Sequence, residues 1–408
     1  MVKNGYLSEY FDGCVVKRLT AVEADTAKSN QHEFNGVAGL KKLFGNVKLA
    51  KLPSRFIWID DDEDVISEDG FLTWYDAREQ HPTRSEYRLY FPTTAVTERA
   101  SEGDVLFIAR RAENKGTALV IVAPAESTAV NQLLWLFGIQ GVLETQFILS
   151  DAKAAPSGVD FAVRYILEEL GIQINEPGED LEFWVAPFKG VFPSTRVFSA
   201  KARESLPDVD SRDSPDDALL QWMDREEALF RYMESQIVAD KLSTGFHVKD
   251  GSPDVDGFIS YSLSVQNRRK ARAGFALENH LEAIFKAHNI RYAREAVTEN
   301  RLKPDFIFPG ASEYHDAKFS PENLTMLGAK SSCKDRWRQV LTEAQRIRKK
   351  HLLTLEPGIS VMQTDEMQSN ELQLVLPTKI HSSYRSSQQE WLLDVKCFLG
   401  LVRQKQAG

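Results

Sequence analysis

Cysteine is scarce in this chain. There are three in 408 residues, Cys14, Cys333 and Cys397, widely spaced and odd in number. That excludes a disulfide framework, and no cysteine has a nearby Cys or His at zinc-ligand spacing. Basic excess is missing too: 50 Lys and Arg stand against 59 Asp and Glu, a formal charge of -9. Indiscriminate coating of nucleic acid is therefore excluded, whereas a specific reader is not, because phosphate affinity follows local Lys/Arg clusters. The start, MVKNGYLSEYFDG, has no apolar segment of signal-peptide type. The longest apolar runs, such as Ala118 to Ala123, fall far short of the ~20 residues a membrane span needs. Repeats and low-complexity tracts are absent. These gaps together predict a soluble protein of a reducing cytoplasm, without membrane contact.

What is present suits a globular protein: 42% hydrophobic and 27% charged residues can build a sizeable core. The length exceeds one ordinary core, so two domains are expected. Residues 1–200 read as strand-rich, with Phe56–Ile59, Tyr87–Phe91, Val105–Ala109 and Leu119–Val122 as the clearest strands. Short helices are expected near Val37–Phe44 and Val159–Leu170, and a β-barrel, open or closed, is the economical architecture. From Ala200 the chain turns polar, AKARESLPDVDSRDSPDD, which predicts a linker over 201–217. Residues 218–408 then mix helices with strands in the order of an α/β layered domain. Helices are expected from Ala218 to Val238, from Ile259 toward His288 and from Gln388 to Val402.

The stretch from Lys303 to Arg348 is the chemically informative one. Pro304-Asp305 opens an apolar strand, Phe306-Ile307-Phe308, and a second run from Leu324 to Ala329 delivers Lys330. A helix is then expected to carry Glu343. An acid at the mouth of one strand, a lysine ending its neighbour and an acid on the next helix suit a hydrolytic site for Mg²⁺, a hard cation that prefers carboxylate oxygens. Asp305 and Glu343 are the candidate metal ligands, and Lys330 would stabilise charge developing at phosphorus. The simplest form of this arrangement has an acid two residues before the lysine, where Gly328 stands, so the acid must come from elsewhere. At about 100° per residue, Glu343 lies at the edge of the stripe formed by Trp337, Val340, Leu341, Ala344 and Ile347. Glu278 flanks another helical stripe, that of Leu277, Leu281, Ile284 and Phe285, and is an auxiliary candidate. Each residue taken singly also has an ordinary explanation: a solvated strand end for Lys330, a surface helical glutamate for Glu343.

Two basic clusters bear on the partner. Arg268, Arg269, Lys270 and Arg272 place four cations within five residues, a pattern that also fits a solvated helix face. Lys334-Asp335-Arg336 opens the helix expected to carry Glu343. Arginine donates bidentately to guanine and a carboxylate accepts from cytosine, so the triplet suits reading adjacent G:C pairs in the major groove. An ordinary helix start with internal ion pairs fits it too.

The ordered set NRRKARAG, KPDFIFPGASEYHD and AKSSCKDRWRQVLTEA resembles the C-terminal catalytic domain of the EcoRII family of type IIE restriction endonucleases, over about residues 215–400. The resemblance implies a PD-(D/E)XK restriction-endonuclease-like fold with the second acid displaced beyond the lysine. It implies Asp305, Lys330 and Glu343 as catalytic positions, Tyr314 as a tyrosine near the site, and Lys334, Asp335 and Arg336 as the readers of a CC(N/W)GG-type palindrome. A palindrome read by two-fold symmetry implies a homodimer on double-stranded DNA. In the N-terminal half, VKRLTA from Val16 and TRSEYR from Thr83 resemble pieces of that family's effector domain, a B3-like β-pseudobarrel that binds a second copy of the site and relieves inhibition of the catalytic core. Lys17, Arg18, Arg84 and Arg88 are the implied phosphate and base contacts, with Glu86 as a cytosine acceptor. Two other readings remain open at this point: a B3-like DNA-binding regulator without nuclease activity, and a repair or transposition nuclease of the same fold.

Overall fold

The computed structural model describes residues 7–25, 32–35, 37–61, 65–112, 116–139, 143–151, 161–172, 180–248, 250–333 and 336–407. The chain divides into two compact units. One holds residues 1–174 with 357–364 and 383–385, and the other holds 175–356 with 365–382 and 386–408. The division at 174 differs from the expected boundary at 200, and the expected linker over 201–217 is partly helical. The helix Thr195–Glu204 buries Phe198 and Ala202 among Leu229, Phe230 and Met233 of a later helix. So few apolar residues in a polar run leave no readable period, yet they suffice to dock one face.

The first unit is built on one eight-stranded sheet of β1 (Phe11–Arg18), β2 (Glu33–Phe34), β3 (Leu49–Trp58), β4 (Ile66–Asp76), β5 (Tyr87–Tyr90), β6 (Val105–Arg111), β7 (Ala118–Ala123) and β8 (Ile148–Asp151). Its order is β2-β5-β4-β3-β7-β6-β1-β8, antiparallel except for the parallel pair of β3 and β7. Side chains alternate between two cores, as the period of two requires. Val105, Phe107 and Ala109 enter one core with Leu119, Ile121 and Ala123, while Leu106 and Ile108 enter the other with Val120 and Val122. Burial on both faces explains why β6 and β7 read as continuous apolar runs. Helices α1 (Val37–Phe44), α2 (Thr128–Leu136) and α3 (Phe161–Glu169) accompany the sheet. Ser127 caps α2 by accepting from Val130 N.

The second unit carries a five-stranded sheet, β13-β12-β11-β10-β9 in spatial order. Strands β9 (Ala293–Arg294) and β10 (Phe306–Phe308) are antiparallel to their neighbours. Strands β11 (Thr325–Lys330), β12 (Lys350–Thr354) and β13 (Leu372–Val375) run parallel. The helix of 195–204, here α4, packs with α5 (Pro215–Thr244) and α6 (Val255–Ala287). Leu277, Leu281, Ile284 and Phe285 of α6 are all fully buried, and the Phe285 ring meets Phe306 and Phe308 edge-on at 5.1 Å each. That aromatic wedge fixes β10, and with it the residue that precedes it. Helix α7 (Trp337–Thr342) follows β11, and α8 (Val395–Ala407) closes the chain. The last helix begins later than expected because Asp394 accepts from Cys397 N at 2.6 Å, and Asp216 from Val395 N at 2.9 Å, setting its start. Among the described residues no helix is long and apolar enough to cross a membrane.

Candidate active site

Asp305 stands where β10 begins, directly before three buried residues. The pairing of Phe306 with Leu327 brings the end of β11 alongside it. Asp305 Oδ2 accepts from Ala329 N at 2.6 Å and from Lys330 Nζ at 2.8 Å. Both side chains are largely covered, with 13% of Asp305 and 20% of Lys330 exposed. Such a pair fixes both side-chain tips relative to each other.

Gly328 explains why no acid precedes the lysine in the simple pattern. A Cβ there would lie 2.9 Å from Val340 Cγ2, because α7 packs directly over this strand. The acid is supplied beyond α7 instead. Glu343 was expected inside the helix, but α7 ends at Thr342, and Glu343 is extended at φ -79° and ψ 151°. Ala344 then turns into the core at φ +48° with no exposure. Burial, and after it the charge of Asp305, pushes the Glu343 carboxyl up to about 7, against the opposing pull of Lys330 and Lys350. Its Oε2 is buried without a hydrogen-bond partner.

Glu278 joins the same field. Burial and then Asp305 raise its carboxyl, and these outweigh Arg294, which donates to Glu278 Oε2 from Nε at 3.1 Å. Arg294 also reaches Asn279 Oδ1 at 2.9 Å and Glu282 Oε2 at 3.2 Å. Among the described residues no three His, Cys, Asp or Glu side chains converge. The arrangement is a two-carboxylate one, which suits a cation that keeps several waters. A buried, unpartnered carboxylate oxygen beside a second carboxylate fits a divalent cation on chemical grounds.

The resemblance implied Tyr314 as a tyrosine near the site. Its hydroxyl donates to Glu299 Oε2 at 2.6 Å and its ring is 1% exposed. Lys334 and Asp335 lie outside the described residues. Arg336 is exposed at the start of α7, with Nη2 donating to Ser332 O at 2.8 Å. The buried Glu356 accepts from Cys333 N.

The cluster of Arg268, Arg269 and Arg272 is mostly engaged in helix packing. Arg269 donates to Glu234 at 2.7 Å, and the Arg268 guanidinium lies 5.0 Å over the Phe192 ring. Arg272 is 7% exposed, paired with Glu226 and Glu227 and stacked over Phe230 at 4.2 Å. Arg272 therefore joins α5 to α6, correcting its reading as a DNA contact. Nothing is assigned to the side chain of Lys270, which lies outside the described side chains.

In the first unit, Lys17 is likewise corrected. It is fully buried, with Nζ 2.6 Å from Glu23 Oε1 and 3.0 Å from Asn35 O. Arg18, on the opposite face of β1, donates to Gly103 O at 3.2 Å. Arg84 is exposed, and Arg88 bonds Glu86 at 2.6 Å and Glu33 at 3.1 Å. Arg78 also reaches Glu86 at 2.6 Å.

Sequence reasoning passed over Arg294, Glu299, Lys350 and Glu356. Arg294, Glu299 and Glu356 act through partners distant in sequence, and the one local signal is that Glu356 closely follows the apolar run of β12.

Residues 230–399 match the family model described as EcoRII C terminal. The type II restriction enzyme EcoRII of Escherichia coli is 44% identical over 186 residues, 45% of this chain and 45% of that enzyme. This chain thus matches somewhat less than half of that enzyme's length. Among solved structures, metal-depleted Ecl18kI in complex with uncleaved DNA is 20% identical, at a TM-score of 0.45 over 57% of this chain and 86% of that one. A complex of the restriction endonuclease PspGI with substrate DNA is 16% identical, at a TM-score of 0.44 over 53% and 94%.

Proposed function

We propose that the EcoRII C-terminal domain to which residues 230–399 belong works in this chain as the catalytic half of a type II, site-specific, double-stranded DNA endonuclease. The observation that carries the reading is the Asp305–Lys330 pair, 2.8 Å apart at adjacent strand ends and within the electrostatic reach of a raised, partly orphaned Glu343. Perturbed carboxylates around a lysine at the C-terminal end of a sheet strand are suited to phosphodiester hydrolysis.

In this reading Asp305 and Glu343 would hold a divalent cation, Mg²⁺. When bound, the cation neutralises phosphate charge and lowers the pKa of the attacking water. The protein's own groups do the rest. Lys330 Nζ, held on Asp305 Oδ2, places a positive charge where charge builds on the scissile phosphate. Glu343, raised to about 7, carries a proton on its carboxyl through part of the neutral range and gives it up as the site gathers positive charge. Glu278, held by Arg294, adds a further carboxyl beside the pair, raised by burial and then by Asp305. Arg336, with Lys334 and Asp335, reads the G:C pairs of a CC(N/W)GG-type palindrome, and two copies read the two half-sites as a homodimer. The N-terminal unit serves as a B3-like effector that binds a second copy of the site, with exposed Arg84 and the Arg78–Glu86–Arg88 set at its surface.

The test is plasmid DNA incubated with and without Mg²⁺, followed by run-off sequencing of the ends. Discrete fragments are expected from the parent, and loss of cutting with retained DNA binding from Asp305→Ala and Lys330→Ala. Parental cutting by Lys330→Ala, or no discrete fragments from the parent at any concentration, defeats the proposal. The second outcome would favour a DNA-binding regulator.

A further inference from the structure

The turn behind Glu343 is held by residues that the chemistry above does not use. Glu343 leaves α7 extended, and Ala344 enters the left-handed region, which is strained for a non-glycine residue and persists only where the surroundings enforce it. The enforcing contacts converge from one direction. Tyr314 Oη donates to Glu299 Oε2 at 2.6 Å, and the same Oε2 accepts from Gln345 N at 3.2 Å. Arg346 N donates to Tyr314 Oη at 3.4 Å. The Arg346 guanidinium reaches Tyr314 O, Asp316 O at 3.1 Å and Phe319 O at 2.8 Å. Farther on, Lys350 Nζ donates to Ile347 O at 2.7 Å.

The protonation states agree with these roles. Burial opposes ionisation of Glu299, but the Tyr314 hydroxyl and the backbone donors prevail and lower its carboxyl. Burial, and then Glu299, lift the Tyr314 phenol to about 12, so it remains a donor at neutral pH. Its hydroxyl is committed to Glu299.

We propose that Glu299 and Tyr314 are positioning residues, which pin the backbone of 344–346 and so fix where the Glu343 carboxylate stands relative to Asp305 and Lys330. The consequence for catalysis rests on the endonuclease reading; the pinning itself does not. A misplacement of about 1 Å at a reacting centre costs on the order of 10²-fold in rate, so loss of the pin should slow the chemical step by roughly 10- to 100-fold.

The experiment compares full-length parent, Tyr314→Phe, Glu299→Gln, Glu299→Ala and the Tyr314→Phe/Glu299→Ala double variant. Amide exchange of peptides covering 343–348 reads the pin directly. Duplex affinity in EDTA and the single-turnover cleavage rate in Mg²⁺ read its effect. Tyr314→Phe and Glu299→Ala should speed exchange in that segment and slow cleavage while metal-free affinity stays level. The double variant should lose less than the sum of the two single changes, since they share the Tyr314–Glu299 contact. Glu299→Gln, which keeps an acceptor oxygen, should recover most of the loss. Exchange unchanged in Tyr314→Phe and Glu299→Ala overturns the pin. Faster exchange with parental cleavage overturns its role in placing Glu343. A parent that cleaves no duplex defeats the endonuclease reading instead, and the exchange data still decide the pin.

Discussion

Replacing Glu343 by Gln offers a test of the site's electrostatics that needs no substrate. The parent carboxyl is raised from 4.5 to about 7, chiefly by burial and then by Asp305. Its folded-state pKa therefore exceeds its unfolded one. Between these values the folded state binds more protons than the unfolded state, so this group's contribution to stability falls as pH rises and levels off above about 7. At about 1.36 kcal/mol per unit, the full shift corresponds to an upper bound of about 3.4 kcal/mol, and screening at a part-exposed position reduces this to roughly 1 kcal/mol. Gln is neutral throughout. In EDTA, the stability of Glu343→Gln relative to parent should improve by about 1 kcal/mol from pH 5 to pH 8. Urea melts of both proteins, followed through a probe in the second unit, measure this difference. Adding Mg²⁺ at pH 8 should stabilise the parent more than the variant, because a bound cation favours the ionised carboxylate. A stability difference independent of pH would refute the reasoning, as would one that moves in favour of the parent as pH rises.

Three other substitutions probe separate links. Gly328→Asp places an acid in the simple motif position, but its Cβ meets Val340 at 2.9 Å, so it should cost about 1–3 kcal/mol in thermal melts and fail to restore cutting to Glu343→Ala. Lys17→Met leaves Glu23 buried with fewer partners and should cost about 3 kcal/mol in stability of the first unit; a variant of parental stability with weakened DNA binding would reinstate Lys17 as a DNA contact. Arg336→Ala should lose roughly 1–3 kcal/mol of discrimination at its own base pair. Equal losses on cognate and scrambled duplexes would show that Arg336 does not read bases.

The chain's local patterns were sufficient wherever one physical rule dominated. The apolar stripe of α6 and the apolar runs of β6, β7, β10 and β11 follow from burial, which imposes a period of 3.6 or covers both faces of a strand. The placement of Asp305 and Lys330 at neighbouring strand ends was legible for the same reason, since each adjoins such a run, and strand pairing brings the two ends together. Tertiary structure decided what local pattern could not carry. Lys17 and Arg18 read as one basic pair, but the pleat sends one into a buried ion pair and the other outward. Arg272 looked like surface charge and is instead neutralised against α5. Glu343 read as helical until the burial of Ala344 ended the helix one residue before it. Its supports, Glu299 and Tyr314, lie 44 and 29 positions upstream, and hydrogen bonds across such separations leave no period to read. Residue order determined which groups could serve at strand ends; packing decided which of them kept their charge, and where each one points.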